Sequence, residues 1–464
     1  MLRAVKSLVK SARDRVRFNK RWFFLFYFLA GIPYLILTGP FRSPDERNHF
    51  LRSYEISEFR LYPFRISGGY PGDNLPSSLS RLSDALGDHS DHHIEPIQIS
   101  RARSLALLPE QREFAEFSTA IYSPLAYVPS AISIMAGRAL GAGPLALVYF
   151  ARWGNLFVAA WLISLAMSYA GFARPAALIV ALFPMTLAQV ASASADAMSY
   201  GVSFLWIAMV MEIAVGNKVG LTRKRIVTLV CLALALSQLR PPYPLLGLLV
   251  FLIPAKHFGG KVSILVCSAI VAASLLPALA WNAASAGLFV KPIVEQNIEP
   301  TGQAKWVMTH PGPFWHRVKQ DLKMRGLEYW EQLVGRLGWL NIRLPSWVFI
   351  GFAAAFAVCI CISPRGSPSP RWWQRVALLV MVLGGVMAIE FLLYLTFNPV
   401  GSAFILGVQG RYLTPLAVMA VFAFSNSRLS RPPFELLCKL GCLPFVVSAH
   451  ICAFFVLARA AGKI

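Results

Sequence analysis

Long apolar runs, separated by short basic clusters, are the dominant pattern along this chain. Runs that approach about 20 residues can cross the hydrocarbon core of a bilayer as helices, and a helix satisfies its own backbone hydrogen bonds. The runs cover residues 22–39, 121–141, 145–170, 175–192, 197–216, 226–238, 243–254, 262–286, 346–362, 376–397, 411–426 and 441–459. The pattern predicts an all-α, polytopic integral membrane protein with about 11 transmembrane helices.

Two long polar segments, 40–120 and 287–345, interrupt these runs. The Lys/Arg clusters lie elsewhere, at 218–225, 256–261, 365–375 and 428–439. Cytoplasmic loops of membrane proteins carry an excess of Lys and Arg. The clusters are therefore predicted to be cytoplasmic, which places 40–120, 287–345 and 398–410 together on the outer face.

This topology requires that one apolar run does not cross fully. An odd number of crossings must join an outer residue 120 to a cytoplasmic residue 218, yet four runs lie between them. The run 121–141 contains Pro124 and Pro129, so we expect it to be the exception.

The ends of the chain are assigned from the same pattern. Residues 1–21 are predicted to form a cytoplasmic basic segment, and residues 22–464 a single transmembrane domain. No small-residue cleavage site follows the run 22–39, so this run is predicted to be a retained span and not a signal peptide.

Composition agrees with a membrane protein and argues against a protein that binds nucleic acid. The chain is 56% hydrophobic and only 14% charged, and its mean hydropathy is +0.56. Its net charge of +22 suggests nucleic acid at first, but the basic residues form clusters between apolar runs. We therefore attribute the charge to membrane topology and to contact with membrane lipids, and predict no nucleic acid partner.

Cysteine and histidine patterns indicate neither a disulfide framework nor a metal site. The seven cysteines lie in or beside apolar runs, without metal-ligand spacing. The tract from Asp88 to His93 resembles a metal-binding tract. It has no helical or strand periodicity to fix its geometry, so we interpret it as a solvated loop.

The first polar stretch, PFRSPDERNHFLRSYEIS at 40–57, is the most unusual in the chain. We predict a short helix with Ser43 as its cap and Pro44 in its first turn. Helical spacing then puts Asp45 and His49 on one face, at the mouth of a cavity.

Asp45, Glu46 and His49 are the candidate catalytic residues of this stretch. A carboxylate in this position can take a proton from an attacking hydroxyl. Structural roles compete with each assignment: Asp45 as a carboxylate stabilised by the helix dipole, Glu46 as a surface charge, and His49 as packing against Asp45.

Further polar residues stand at the predicted outer ends of the spans. The candidate substrate-binding residues are Arg52, Tyr122, Asp196, Arg240, Tyr243, Gln409, Arg411 and Tyr412. Arginine binds phosphate well because its planar fork makes two parallel hydrogen bonds. Arginines can also snorkel to the interface, tyrosines can form an aromatic belt, and Asp196 can cap a helix.

Several of these strings occur together in a known order. They are SPDERNHFLRSYEIS, IYSPLAYVPSAISIMAGRALG, YFARWGNL, LFPMTLAQVASASADAM, LRPPYPLLGLL, GRLGWLNIRLP and VQGRYLTPL, from about residue 40 to 420. In this order they resemble the bacterial membrane protein family called domain of unknown function 2142. That family is similar to a branch of the GT-C glycosyltransferases, which use polyprenyl-phosphate-linked sugars.

The resemblance implies a GT-C-like membrane domain whose first outer loop carries a carboxylate that acts as catalytic base or metal ligand. Asp45 with Glu46 occupies that place here. Arg240 stands where the family often has Lys, and keeps the positive charge. Asn341 stands where the family often has Asp, which removes a carboxylate from that loop.

The resemblance and the residues together predict a glycosyltransferase of the bacterial inner membrane. It would move a sugar from a polyprenyl-phosphate donor to an envelope glycan or a lipid-linked acceptor on the outer face. No cofactor is assigned, and a divalent metal at Asp45 stays open. The rival hypotheses are a transporter or flippase for a lipid-linked glycan and a non-catalytic partner in its assembly.

Overall fold

The computed structural model describes residues 18–65, 70–87, 93–216, 220–258, 262–288, 298–362, 368–426 and 432–462. Helices make up most of these residues, and β-structure is confined to short strands, in agreement with the predicted class. The Gly68-Gly69 pair and most of the acidic and histidine tract at 88–93 lie outside the described residues.

The helices are named in chain order. The first nine are α1 (Lys20–Leu37), α2 (Glu46–Ser57), α3 (Ser77–Leu86), α4 (Pro96–Ser104), α5 (Val128–Ala139), α6 (Pro144–Tyr169), α7 (Arg174–Ala181), α8 (Pro184–Val190) and α9 (Asp196–Val215). The others are α10 (Arg223–Ser237), α11 (Ser263–Ser285), α12 (Pro300–Thr309), α13 (Pro311–Val334), α14 (Ser346–Cys361), α15 (Trp372–Phe397), α16 (Thr414–Phe424) and α17 (Pro432–Ala460).

Short 3₁₀ helices and strands complete the architecture. The 3₁₀ helices are Ser118–Ile121, Pro124–Tyr127, Gly171–Ala173, Tyr243–Leu252, Ala255–Phe258, Ala286–Leu288 and Gly410–Leu413. The strands are β1 (Phe64–Arg65), β2 (Pro71–Pro76), β3 (Arg112–Glu116), β4 (Arg336–Leu337) and β5 (Ile342–Arg343). Strand β2 pairs with β1 and β3, and β4 pairs with β5, all antiparallel.

Within the described ranges, six helices are long and apolar enough to cross a membrane. They are α1, α6, α9, α11 with the turn that follows it, α15 and the 441–460 part of α17. The helices that join at Pro184 add a seventh candidate, although they are bent by 78°. The chain is therefore a multi-pass membrane protein.

The prediction of about 11 spans is wrong, because several apolar runs form helices too short to cross. Helices α10 and α14 have 15 and 16 residues, and residues 243–252 form a 3₁₀ helix after two prolines. At a rise of about 1.5 Å per residue in an α-helix and about 2.0 Å in a 3₁₀ helix, these elements do not cover a core of about 30 Å. The run 121–141 also forms no spanning helix, as Pro124 and Pro129 predicted.

The polar segment 40–120 is not a simple loop. Strands β1 to β3, α3 and α4 fold together and pack against the first turns of α6. Their apolar side chains form a second hydrophobic core beside the main one, with members such as Leu79, Leu82, Phe117 and Leu147. This small layer covers α2 and holds the Pro40–Ser57 stretch in place.

Three polar segments meet at one end of the helical bundle. The Trp339 indole N–H donates to the Phe41 carbonyl oxygen over 3.1 Å. Arg411 lies 3.3 Å from Asp45, and Arg325 donates to the carbonyl oxygen of Ile405 over 2.9 Å. These contacts bring together the segments 40–120, 298–345 and 398–413. The prediction that these segments share one face of the membrane requires this proximity.

The side of the membrane is a testable prediction. A cysteine placed at the exposed Glu110 position, with the seven native cysteines replaced, should react with a membrane-impermeant maleimide on intact cells. A cysteine at the exposed Lys224 position should react only after the cells are permeabilised. The reverse labelling pattern would invert the assigned orientation.

Candidate active site

A cavity of about 440 Å³ lies at this end of the bundle. Six predicted site residues line it: Asp45, Tyr122, Arg240, Tyr243, Gln409 and Tyr412. Five predicted site residues do not line it: Glu46, His49, Arg52, Asp196 and Arg411. The predicted site residues therefore form two groups: one lines the cavity, and the other is buried in the protein.

Asp45 is held at the cavity by an unusual backbone conformation. Its φ is 59° and its ψ is 10°, in the left-handed region that Asp and Asn tolerate better than most residues. Helix α2 begins at Glu46, and the Asp45 side chain makes no cap hydrogen bond. Ser43 and Pro44 precede this left-handed residue, so the predicted cap at Ser43 and the predicted place of Pro44 in the first turn are wrong.

The Asp45 carboxylate is oriented from behind by a buried arginine. Arg411 Nη2 lies 3.3 Å from Asp45 Oδ2, and the Arg411 side chain is fully buried while Asp45 is 36% exposed. A residue in a strained backbone region, facing a cavity and aligned by a buried charge, is a candidate functional residue.

Arg411 is the centre of a buried polar network. Its Nη1 lies 2.7 Å from Asp196 Oδ2 and 3.2 Å from Gln189 Oε1, and its Nε donates to Gln409 over 2.6 Å. These bonds, with that to Asp45, engage most of its donors. Arg411 is therefore placed to position Asp45, and unlike the other candidate phosphate-binding arginine, Arg240, it does not line the cavity.

Arg240 differs from Arg411 because it lines the cavity. Its guanidinium lies over the Tyr412 ring at 4.6 Å and over the Tyr122 ring at 5.6 Å. Its Nη1 is 3.5 Å from Asp196 Oδ1 but forms no hydrogen bond with any described residue. Arg240 thus places an aligned positive charge at the cavity wall, while its Nη1 is buried beside Asp196.

The tyrosines hold this arrangement together. Arg240 Nη2 donates to the Tyr122 hydroxyl over 3.4 Å. The Tyr243 hydroxyl donates to the backbone oxygen of Tyr412 over 3.0 Å, and the Tyr200 hydroxyl donates to that of Arg411 over 2.8 Å. These contacts hold the site together, and three of the tyrosines also line the cavity: Tyr122, Tyr243 and Tyr412.

Glu46 is held in the protein interior by contacts that its local sequence does not predict. It is fully buried and receives a two-bond fork from Arg152, with Nε to Oε1 at 2.7 Å and Nη2 to Oε2 at 2.6 Å. The Ala193 N–H also donates to it over 2.9 Å. Glu46 faces away from the cavity, so we leave it out of the proposed site.

Arg52 and His49 are likewise bonded to the protein interior. Arg52 pairs with Glu55 at 2.5 Å and donates to the backbone oxygen of Tyr122 over 2.8 Å, which positions Tyr122. His49 Nδ1 lies 2.7 Å from the Tyr127 hydroxyl. Burial, and then the charge of Arg240, lowers the pKa of His49 to about 4, so the imidazole is neutral at pH 7.

Sequence reasoning missed several residues of this end of the bundle. Gln238 lines the cavity and accepts from the Ser123 hydroxyl over 2.5 Å. Trp281 and Asn282 line it from α11. Gln238 ends the run 226–238 two residues before Arg240, and Asn282 is a polar residue inside the run 262–286, so both carried a readable signal.

The residues present fit a divalent metal poorly. Among the described residues, no group of three or more His, Cys, Asp and Glu is close enough to hold a metal ion. The carboxylates of Asp45 and Asp196 each face an arginine, whose charge would oppose a bound cation.

Comparison with known proteins places the chain in a family. Searches against curated proteins and against solved structures returned no significant match. The model of one family, described as a predicted membrane protein (DUF2142), matches residues 28–420 and thus most of the chain. By this match, the chain belongs to the DUF2142 family of predicted membrane proteins.

Proposed function

We propose that this protein is a glycosyltransferase that uses a polyprenyl-phosphate-linked sugar and transfers it to an envelope glycan or lipid-linked acceptor. The observation that carries the proposal is the pairing of Asp45 and Arg240 on one cavity that also has an apolar wall. Such a cavity suits a substrate that is part phosphate, part sugar and part lipid.

The apolar wall supports a lipid-linked donor. It includes Ala278 of α11 and Ile389, Leu392 and Phe397 of α15. Few residues of the apolar stretches of these two helices are fully buried in the protein, 28% and 17%, so both helices keep apolar surface that can face lipid. A polyprenyl chain can then lie along the wall while its phosphate reaches Arg240.

The chemistry of transfer assigns a role to each polar group. Asp45 takes the proton of the acceptor hydroxyl as its oxygen bonds to the anomeric carbon of the sugar. The bond from that carbon to the phosphate oxygen breaks, and the lipid phosphate leaves with the electron pair. Arg240 stabilises the negative charge that develops on the phosphate. No step requires a metal.

One charged network joins the two functional groups. Asp45 contacts Arg411, Arg411 contacts Asp196, and Asp196 contacts Arg240. Two carboxylates thus balance two guanidinium groups, so the buried charges are paired. We propose that Arg411 and Asp196 position the base and the phosphate-binding arginine relative to each other.

Transport of a lipid-linked glycan receives less support. A transporter needs ionisable groups on a pathway within the spans. Glu212 pairs with Arg225 at 3.3 Å, and Glu390 lies beside Asp321. Neither glutamate lines the cavity.

The proposed enzyme works on the outer face of the bacterial inner membrane.

Replacement of Arg240 tests the phosphate assignment. Arg240→Gln should weaken the binding of undecaprenyl phosphate by about 1.5 to 3 kcal/mol, the range for hydrogen bonds to charged groups. Arg240→Lys should have a smaller effect, because it keeps the charge and loses the planar fork. The dissociation constants can be measured with purified protein in nanodiscs.

A matched control is Arg101→Gln, at an exposed arginine of α4 that does not line the cavity. Its affinity for undecaprenyl phosphate should equal that of the unchanged protein. Equal affinities of the Arg240→Gln and Arg101→Gln proteins would refute the phosphate role of Arg240.

A further inference from the structure

Helix α13 has two opposite faces of different character. Helical spacing places Arg317, Arg325 and Gln332 on one side. Arg317 donates to the Gly401 carbonyl oxygen over 3.0 Å, Arg325 to that of Val408 over 3.1 Å, and Gln332 accepts from Gly410 N–H over 2.7 Å. This face carries the segment 401–413, which contains Arg411.

The opposite face of α13 is exposed, and it is both apolar and basic. Trp315 is 47% exposed, Leu322 39% and Leu327 73%, and Lys319 and Lys323 are also exposed. The Lys319 ammonium lies 5.1 Å from the centre of the Trp315 ring. The acidic residues Asp321 and Glu331 of this helix are buried, and Glu328 is bonded to Arg336 at 2.7 Å.

The position of α13 relative to a spanning helix indicates what this face meets. Phe314 packs on Phe391 at 5.9 Å and on Tyr394 at 5.4 Å. Both partners lie in the last two turns of α15, where a spanning helix approaches the headgroup region. The first turn of α13 is therefore at the level of the membrane surface.

We propose that the exposed face of α13, formed by Trp315, Lys319, Leu322, Lys323 and Leu327, rests on the membrane and binds anionic phospholipid headgroups. Tryptophan and leucine enter the boundary between headgroups and acyl chains, while lysines reach the phosphates, as in other interfacial amphipathic helices. Because the other face of α13 carries the segment 401–413, the membrane surface then supports the turn that holds Arg411.

This inference is independent of the proposed enzymatic activity. It requires only that α13 contacts the lipid surface, whatever the cavity binds. If water or a partner protein covered this face instead of lipid, quenchers attached to lipids would not reach a label placed there.

Fluorescence quenching by brominated lipids provides the test. The full-length protein, with its native cysteines replaced, receives an environment-sensitive fluorophore at Leu322→Cys and is reconstituted in nanodiscs. Brominated phosphatidylglycerol and brominated phosphatidylcholine are the quenchers. The control label is at Glu110→Cys, an exposed position of the polar segment 40–120.

The label at position 322 should be quenched by both lipids, and more strongly by phosphatidylglycerol, whereas the label at position 110 should stay unquenched. Each lysine near an anionic surface favours binding by a factor of about five. The added changes Lys319→Gln and Lys323→Gln should therefore remove the preference for phosphatidylglycerol, and Lys319→Arg with Lys323→Arg should retain it.

Three outcomes would overturn the proposal. Absence of quenching at position 322, in a protein that melts like the unlabelled one, would show that water or protein covers this face. Equal quenching by the two lipids would show contact with the bilayer without recognition of the anionic headgroup. An unchanged preference in the Gln variant would remove the two lysines from the interaction.

Discussion

Asp45→Asn is expected to lower sugar transfer by about 10² to 10⁴-fold, the typical contribution of general base catalysis. Asn keeps the size of the side chain and can still accept a hydrogen bond from Arg411, which lies 3.3 Å from Asp45. It also tolerates the left-handed backbone at φ 59°. The substitution therefore removes the proton acceptor, while Arg411 keeps Asp196 as a counter-charge at 2.7 Å.

The measurement is a transfer assay with purified protein in nanodiscs, run over a panel of polyprenyl-phosphate sugars, with and without divalent metal. Glu110→Gln, at an exposed position outside the cavity, is the matched control. Melting temperature and protein yield should be the same for both variants. A rate equal to that of the control would end the assignment of Asp45 as base, and rescue by metal would make Asp45 a metal ligand.

Glu46→Gln should have its main effect on stability, although Glu46 is the immediate neighbour of Asp45. The change leaves the buried Arg152 guanidinium without its counter-charge, while Arg152 also donates to the carbonyl oxygens of Leu35, Thr38 and Gly39. Removal of one partner from a buried ion pair costs about 3 to 5 kcal/mol. The free energy of unfolding should fall by that amount.

Thermal or denaturant unfolding of the purified protein in detergent measures this effect. The double variant Glu46→Gln with Arg152→Gln should be more stable than Glu46→Gln alone, because no unpaired buried charge remains and the two amides can still bond to each other and to the neighbouring backbone groups. If Glu46→Gln instead unfolds like the unchanged protein and loses transfer activity, Glu46 returns to the proposed site as a catalytic residue.

The contrast between these neighbours shows what local sequence can predict. Asp45 and Arg240 were found because each stands where an apolar run meets a polar segment, and such a position faces the end of the bundle. Glu46 has the same local context, but its role is set by Arg152, which lies 106 residues further along the chain in α6. Local spacing contains no information on a pairing of that range.

The fold was predictable to a similar extent. The all-α class and the non-spanning run at 121–141 followed from apolar periodicity and from Pro124 and Pro129. The number of spans did not follow, because an apolar run can fold as a 3₁₀ helix, as at 243–252, or bend sharply, as at Pro184. In both cases the segment contributes buried side chains to the main core, so part of its apolar surface is buried in protein.

The apolar wall between α11 and α15 has a consequence for how affinity is expressed. A lipid that reaches the cavity past Ala278 and Leu392 arrives by lateral diffusion in the plane of the bilayer, not from bulk water. Its effective concentration is then a mole fraction, set by the ratio of that lipid to all the others. Dilution of the sample with buffer would leave occupancy unchanged, whereas dilution with additional phospholipid would lower it.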